Sequence, residues 1–494
     1  MIFYLIALAN LSTVLNAQWG VAYKKELPVM LTPRMTSQIL TGYNNKIIAL
    51  GGHTTDFIQL NNAVAIDDTG SVWSYFNLAD NRDNAGIVYL KDSTALLVGG
   101  MSSPLGVGQL ATTERVYPNL LSSVAGPNMI HARTMANGVQ LNDGRVLVAG
   151  CWYSDAAATQ AELINLVTNQ SVATGNLNQP RAYPTMVATS DGNALLFGGW
   201  GTYGGEFSGK VEEYSFTTGQ FTVLRDQLFA DDPDFRVVTD FGDDLQHKTW
   251  LQGKQIFLAR KFQNGTGWRL FTVDPVTKAF EVLPVYLPVA DTVTGKVFTY
   301  LPPIIYEGWQ VMLPQLWSDD QGLTHIDLMY GDPSSIFYKA ASSATVSYWP
   351  YYSARAPYKN SNFESAIIFI GGNQSSNFDP VADAFVLVLN DFADVNDPSG
   401  SPASFTLEQN YPNPFNPSTV IRFALPARGS ATTGFARISV YNAVGELVKV
   451  LVSGEMPSGQ HTVSFDASGL PSGLYLYRLE TEGSALTRKM LLVK

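Results

Sequence analysis

Short runs of apolar residues, each ending in a pair of small residues, recur through most of the chain. Four stand early: "IIALGGHTT" (Gly51, Gly52), "ALLVGGMSS" (Gly99, Gly100), "VLVAGCWYS" (Gly150, Cys151) and "ALLFGGWGT" (Gly198, Gly199). A fifth, "IIFIGGNQS" (Gly371, Gly372), comes much later. A run that is apolar at every position, rather than at every second one, fits a strand covered on both faces. The glycine pair after it marks a tight turn. Downstream, "AELINLVTNQSV", "VEEYSFTTGQFTVL" and "WRLFTVDPVTKAFEVL" each read as two strands about a turn. No long segment keeps apolar residues at i, i+3, i+4 and i+7, so the pattern predicts an all-β protein.

The runs belong to a repeat. An arginine lies 17 residues before Gly51, Gly99, Gly150 and Gly198, and 16 before Gly371; these are Arg34, Arg82, Arg133, Arg181 and Arg355. "KQIFLARKF" (254–262) and "WQVMLPQLW" (309–317) are the candidate equivalents in the interval that lacks glycine pairs. Counting them gives seven units, or six if one is an insertion. These features resemble kelch repeats over residues 18–392. The resemblance implies a β-propeller of four-stranded blades packed around a channel. Each blade alone exposes apolar faces, and closing the ring buries them. "WGVAYKK", near residue 19, is placed to supply the outer strand of the blade that ends in "DAFVLVLN".

Composition agrees with many strands and turns: 12% aromatic residues, 42 Gly and 26 Pro. The net charge of −11 is uneven. From Phe405 onward there are 8 Lys+Arg and 6 Asp+Glu, leaving 23 against 36, or −13, upstream. An acidic body argues against nucleic acid and anionic membrane as partners. The single cysteine, Cys151, rules out an intrachain disulfide framework and a Cys-based metal site. Residues 1–17, "MIFYLIALANLSTVLNA", read as a signal peptide cleaved after Ala17.

The resemblance to kelch propellers puts the loops after the glycine pairs and the loops entering each innermost strand on one face. That face would carry Arg34, Arg82, Arg133, Arg181 and Arg355 with His53, Trp152 and Trp200, joined by Tyr153, Tyr203 and Asn373. Guanidiniums beside aromatic rings suit carboxylates and sugar faces, so they are the candidate ligand contacts. The alternative is a structural one, in which the arginines bond to backbone carbonyls and neighbouring blades. The glycines are conformational. The acidic segment 226–248, with Asp231, Asp232, Asp234, Asp243 and Asp244, reads as a solvated loop rather than a Ca²⁺ site, because its spacing matches no calcium loop.

Enzyme motifs are missing. The five histidines form no HExxH or HxH, and there is neither a G-x-S-x-G elbow nor a phosphate loop. Copper-radical oxidases are built on a related propeller and use a Cys joined to Tyr. Here Cys151 occupies the position of a second glycine and is read as a small buried residue. No catalytic residue, metal or cofactor is assigned, although paired carboxylates from distant segments remain open.

Residues 393–403 read as a linker. Alternating strands follow, which suggest a small immunoglobulin-like sandwich. The ordered motifs "NYPNPFNPST", "VYNAVGELV", "SGQHTVSFD", "LPSGLYLYRLE" and "TRKMLLVK" make residues 404–494 similar to the C-terminal sorting domain (type A) of proteins exported by the type IX secretion system. The sorting motif proper is Asn410, Tyr411, Pro412, Asn413, Pro414, Phe415, Asn416 and Pro417. This resemblance implies Sec export, contact with the secretion machinery, and a secreted or outer-membrane surface location. The expected function is a monomeric propeller that binds a glycan or protein ligand. The alternative is an extracellular carbohydrate-active enzyme of hydrolase, lyase or sialic-acid mutarotase type.

Overall fold

Seven antiparallel sheets of four or more strands follow one another from residue 18 to residue 392. The first comprises Gln38–Thr41, Ile47–Leu50, Asn62–Ile66 and Trp73–Asn77 in spatial order. The next three repeat it, from Gly86–Tyr89 to Ser122–Ala125, from Asn137–Gln140 to Gln170–Asn176, and from Thr185–Ala188 to Phe221–Arg225. The fifth and sixth are built around Lys254–Lys261 and Gln310–Ser318, the two runs that lack a glycine pair. The seventh orders Gln18–Glu26, Ala384–Phe392, Ser365–Ile370 and Ala354–Lys359, so the chain's first strand completes its last sheet. The structure, a computed structural model, describes residues 18–493 except for short segments, the longest being 67–72, 202–208, 238–249, 332–337, 348–353, 393–405 and 426–432. The signal-peptide reading of Met1–Ala17 lies outside the described residues.

The sheets close into a ring, and the hydrophobic clusters show how. Ile48 and Leu50 of the first sheet pack with Ile87 and Leu97 of the second. Val88 and Val98 meet Val146 and Val148 of the third, and Leu147 and Ala149 meet Met186 and Leu196 of the fourth. The series continues through Phe197 with Phe257, Leu258 with Leu313, and Leu316 with Phe369. It ends with Ile368 and Ile370 of the seventh sheet against Ile47 and Ala49 of the first. Seven interfaces joining seven sheets in a cycle make this a seven-bladed β-propeller. They also explain the unbroken apolar runs: Ile47 and Ala49 face the seventh blade, while Ile48 and Leu50 face the second.

Glycine is dictated by how closely the blades approach. A Cβ on Gly99, at φ +61°, would lie 2.2 Å from the carbonyl oxygen of Arg133 in the next blade. At the seam of the ring, a Cβ on Gly371 would lie 2.4 Å from the carbonyl oxygen of Arg34. Any side chain there pushes two blades apart.

Contacts divide the chain into two compact units, Trp19–Asn390 and the segment Asp391–Lys494. The second is a β-sandwich. One sheet orders Thr406–Leu407, Ser418–Leu425 and Gly459–Asp466; the other orders Leu447–Pro457, Thr433–Asn442, Gly473–Thr481 and Ser484–Leu492. Ile421, Phe423 and Phe465 of the first meet Ile438, Tyr477 and Leu479 of the second in a single core.

Candidate functional site

The repeated arginines define each blade joint. Arg34, Arg82, Arg133 and Arg181 are at most 2% exposed. Each donates Nη1 to the carbonyl of the first small residue 17 positions on: Gly51 at 3.2 Å, Gly99 at 2.7 Å, Gly150 at 3.3 Å and Gly198 at 3.2 Å. In three blades the guanidinium also meets a buried glutamate from the third strand. The pairs are Arg82–Glu114 at 3.3 Å, Arg133–Glu162 at 2.8 Å and Arg181–Glu212 at 2.5 Å. In the first blade Val64 stands at the register position of that glutamate, and Arg34 Nη2 donates to Asn62 Oδ1 at 2.7 Å. Burial pulls the Arg34 guanidinium down to about 10, with Tyr75 opposing it. Burial also lowers Arg82 and Arg181, with Glu114 and Glu212 opposing it.

The ligand-contact expectation is therefore corrected for these four arginines. They have no surface left to offer, and they donate to carbonyls, to Asn62 in the first blade and to glutamates in the next three. Arg355 sits in strand Ala354–Lys359, opposite Phe369, and its side chain lies outside the described residues. Sequence reasoning missed Glu114, Glu162 and Glu212. The signal was present as a glutamate in the third strand of units two to four ("TERVY", "QAELIN", "VEEY").

The residues that follow each arginine form the mouth of the ring. Two positions on, Thr36, Asn84, Met135 and Tyr183 all have positive φ, from 46° to 58°. Such backbone is unfavourable for non-glycine residues and clusters at functional sites. Three are joined across blades: the Met135 amide donates to the Asn84 carbonyl at 2.9 Å, and the Tyr183 amide to the Met135 carbonyl at 2.5 Å. The loops after the glycine pairs are zipped alongside by backbone bridges, Met35 with His53 and Ala182 with Trp200. The Trp152 amide likewise donates to the Thr134 carbonyl. His53, Trp152 and Trp200 therefore occupy equivalent places in the first, third and fourth blades.

A polar network runs through this mouth. His53 Nδ1 lies 3.1 Å from Asp83 Oδ2 and 3.0 Å from the Thr36 hydroxyl. The Thr36 hydroxyl donates to Asp83 Oδ1 in a short hydrogen bond. Asn84 Nδ2 donates to Asp83 Oδ2 at 2.8 Å, and the Tyr183 hydroxyl donates to Asn84 Oδ1 at 3.3 Å. Five side chains from three blades are thus linked. Burial, with the nearby Asp83 charge, holds the Tyr183 phenol well above its usual range, so it stays a donor. At the other end, His53 is 4% exposed and its Nε2 is buried without a hydrogen-bond partner among the described residues. A carboxylate on Nδ1 sets the tautomer in which Nε2 is the basic nitrogen. Phe57 stacks on the imidazole, centroids 5.1 Å apart, while remaining 53% exposed.

The other candidates fall in place around this network. Trp200 is 37% exposed, and Trp152 and Tyr153 are half-buried. Tyr203 and the Asn373 side chain lie outside the described residues. Cys151 is fully buried, donating Sγ to Gln109 Oε1 at 3.3 Å. In the acidic segment, Asp231 is bound by both Nη atoms of Arg269 and Asp232 by Lys261 at 2.8 Å, so those carboxylates are already neutralised. Asp243 and Asp244 lie outside the described residues.

The chain thus combines a seven-bladed propeller with a terminal sandwich. Residues 409–494 match the family described as the secretion system C-terminal sorting domain. The protein is secreted or displayed at the cell surface. Among the described residues, no helix is long and apolar enough to cross a membrane. No curated protein matches the chain. Among solved structures it is similar to a fungal alcohol oxidase of the AA5 family in complex with copper, with 14% identity, a TM-score of 0.54, and coverage of 97% of this chain and 100% of that one. At that identity the likeness is one of fold. Among the described residues there is no group of three or more His, Cys, Asp or Glu side chains that could hold a metal ion.

Proposed function

We propose that this is a kelch-type propeller, exported through the type IX pathway after removal of residues 1–17, that binds a glycan or protein ligand at the mouth of its ring. The domain limits proposed are 18–392 for the propeller, 393–403 for a linker and 404–494 for the sorting domain. The observation that carries the binding reading is the buried Thr36–His53–Asp83–Asn84–Tyr183 network, ending at a histidine nitrogen with no partner among the described residues. Buried polar groups are normally satisfied, and one that is not is poised for an external donor. Phe57, Trp152 and Trp200 supply apolar faces in the neighbouring loops, as recognition of a sugar ring or an aromatic side chain requires. Glycan-array binding of the exported protein tests this. Trp200→Ala and His53→Gln are expected to weaken binding at least about tenfold, the worth of one good hydrogen bond or stacking contact. Unchanged binding by both variants overturns the assignment.

One observation favours a second reading, an extracellular carbohydrate-active enzyme. Asp83 orients His53 as an acid–base group is oriented in hydrolytic sites. If the bound glycan is also turned over, Asp83→Asn is expected to abolish turnover more than binding. Binding without turnover in the unaltered protein leaves the first reading alone.

A further inference from the structure

The proline-rich stretch that begins the sorting domain holds the last strand of the chain from outside its sheet. Strand Ser484–Leu492 is an edge, paired on one side with Gly473–Thr481. On its other side the Phe415 amide donates to the Leu491 carbonyl at 2.9 Å, and the Val493 amide donates to the Phe415 carbonyl at 3.0 Å. Phe415 and Leu492 so form a one-residue parallel bridge. The side chain of Asn413 adds a second hold, accepting the Leu491 amide on Oδ1 at 2.8 Å. The stretch is itself anchored. Phe415 is 2% exposed beside Phe465, Asn410 donates its amide to the Tyr477 hydroxyl at 2.7 Å, and the Pro417 carbonyl accepts from Ala467 at 3.0 Å.

Proline explains why there is one rung and not a ladder. Pro417 carries no amide hydrogen, so it cannot donate to the Val493 carbonyl as the next rung of a parallel pairing from Phe415 would require. The terminal strand is secured, yet Leu491 and Val493 remain 40% and 47% exposed. An unsecured terminal edge strand frays.

We propose that Asn413 and Phe415 are positioning residues of the sorting signal: they clasp the terminal strand so that the secretion machinery meets residues 486–493 as an ordered strand end. This rests on the sorting-domain match and is independent of what the propeller binds. The test uses the full-length protein in a bacterium that runs this secretion system, with export measured beside amide exchange at Leu491 and Val493. Asn413→Leu removes the acceptor without opening the core. It is expected to leave the melting temperature unchanged, to speed exchange at Leu491 about fivefold, as loss of one hydrogen bond would, and to cut export severalfold. Asn413→Asp keeps an acceptor and is expected to export normally. Phe415→Ala also empties core volume, so the core variant Ile438→Val is run beside it as a stability control. The proposal is overturned if Asn413→Leu exports like the unaltered protein, if it leaves Leu491 exchange unchanged, or if export across the variants follows melting temperature instead of Leu491 exchange.

Discussion

His53 and Asp83 belong to different blades, yet their side chains meet at 3.1 Å with both residues buried. The Thr36 hydroxyl touches both, so the first and second blades are tied together at the mouth of the ring. Asp83→Ala would leave His53 Nδ1, the Thr36 hydroxyl and Asn84 Nδ2 without their common acceptor. The expected loss is about 1–3 kcal/mol of stability. Asp83→Asn keeps one oxygen and should cost less. Urea denaturation of the two variants checks the order.

The arginines make a sharper comparison. Removing Arg181 strands the buried carboxylate of Glu212, whereas Arg34 leaves behind only Asn62 and carbonyls. Arg181→Met is expected to cost about 3–5 kcal/mol, the usual result of breaking a buried ion pair. Arg34→Met should cost clearly less. The double change Arg181→Met with Glu212→Leu should recover part of the loss. Equal costs for Arg34→Met and Arg181→Met would refute the pairing argument.

Gly371→Ala probes the seam of the ring, where the new methyl would meet the Arg34 carbonyl at 2.4 Å. Gly322 has a similar φ of +78° but nothing within 4 Å of its Cβ position. Gly322→Ala therefore pays only for backbone strain, about 1 kcal/mol. Gly371→Ala is expected to cost severalfold more, and limited proteolysis should then cut near the first or seventh blade first.

A pH effect is expected between the fourth and fifth blades. Lys278 bonds to Asp191 at 2.6 Å and also meets Glu213. Hydrogen bonds from Lys278 and then Thr189 hold the Asp191 carboxyl down to about 2. That lies below the ~3.9 of an unfolded aspartate. The stabilisation is complete above about pH 4 and is lost as the pH falls toward 2. The Lys278 ammonium is raised by Asp191 and Glu213. Its share is complete below about pH 10 and disappears as the pH rises beyond its folded value. Because the Asp191 side chain is 48% exposed, solvent screening keeps the effect under about 1 kcal/mol. Melting temperature should fall less steeply from pH 4 to pH 2 in Lys278→Ala than in the unaltered protein. Coincident slopes would show that the contact contributes nothing.

The blades could be read from the sequence because burial on both faces writes a continuous apolar run, which survives in Lys254–Lys261 and Gln310–Ser318 even without glycines. The roles of the arginines could not be read so directly. Spacing located Arg82 but not the carbonyls of Gly99 and Thr112, or Glu114, that surround it in three dimensions. His53 stood out as a loop residue after a glycine pair. Its partner Asp83 did not, because an aspartate beside an arginine reads locally as a solvated charge pair. Only the packing of the second blade against the first turns that aspartate toward the histidine. Tyr183 was hidden for a related reason: its contact with Asn84 spans 99 residues, a separation no local pattern reports.

Strand Gln18–Glu26 is the earliest part of the ring to be synthesised, yet its pairing partner is Ala384–Phe392. It must wait, unpaired, while six other blades are translated. Until then Leu27, Ile39 and Ile47 have no seventh blade to cover them. A partly built ring therefore leaves that apolar face of the first blade uncovered. An export machine that handled it piecemeal would carry an open, sticky arc, whereas one that collected it complete would receive a sealed disc.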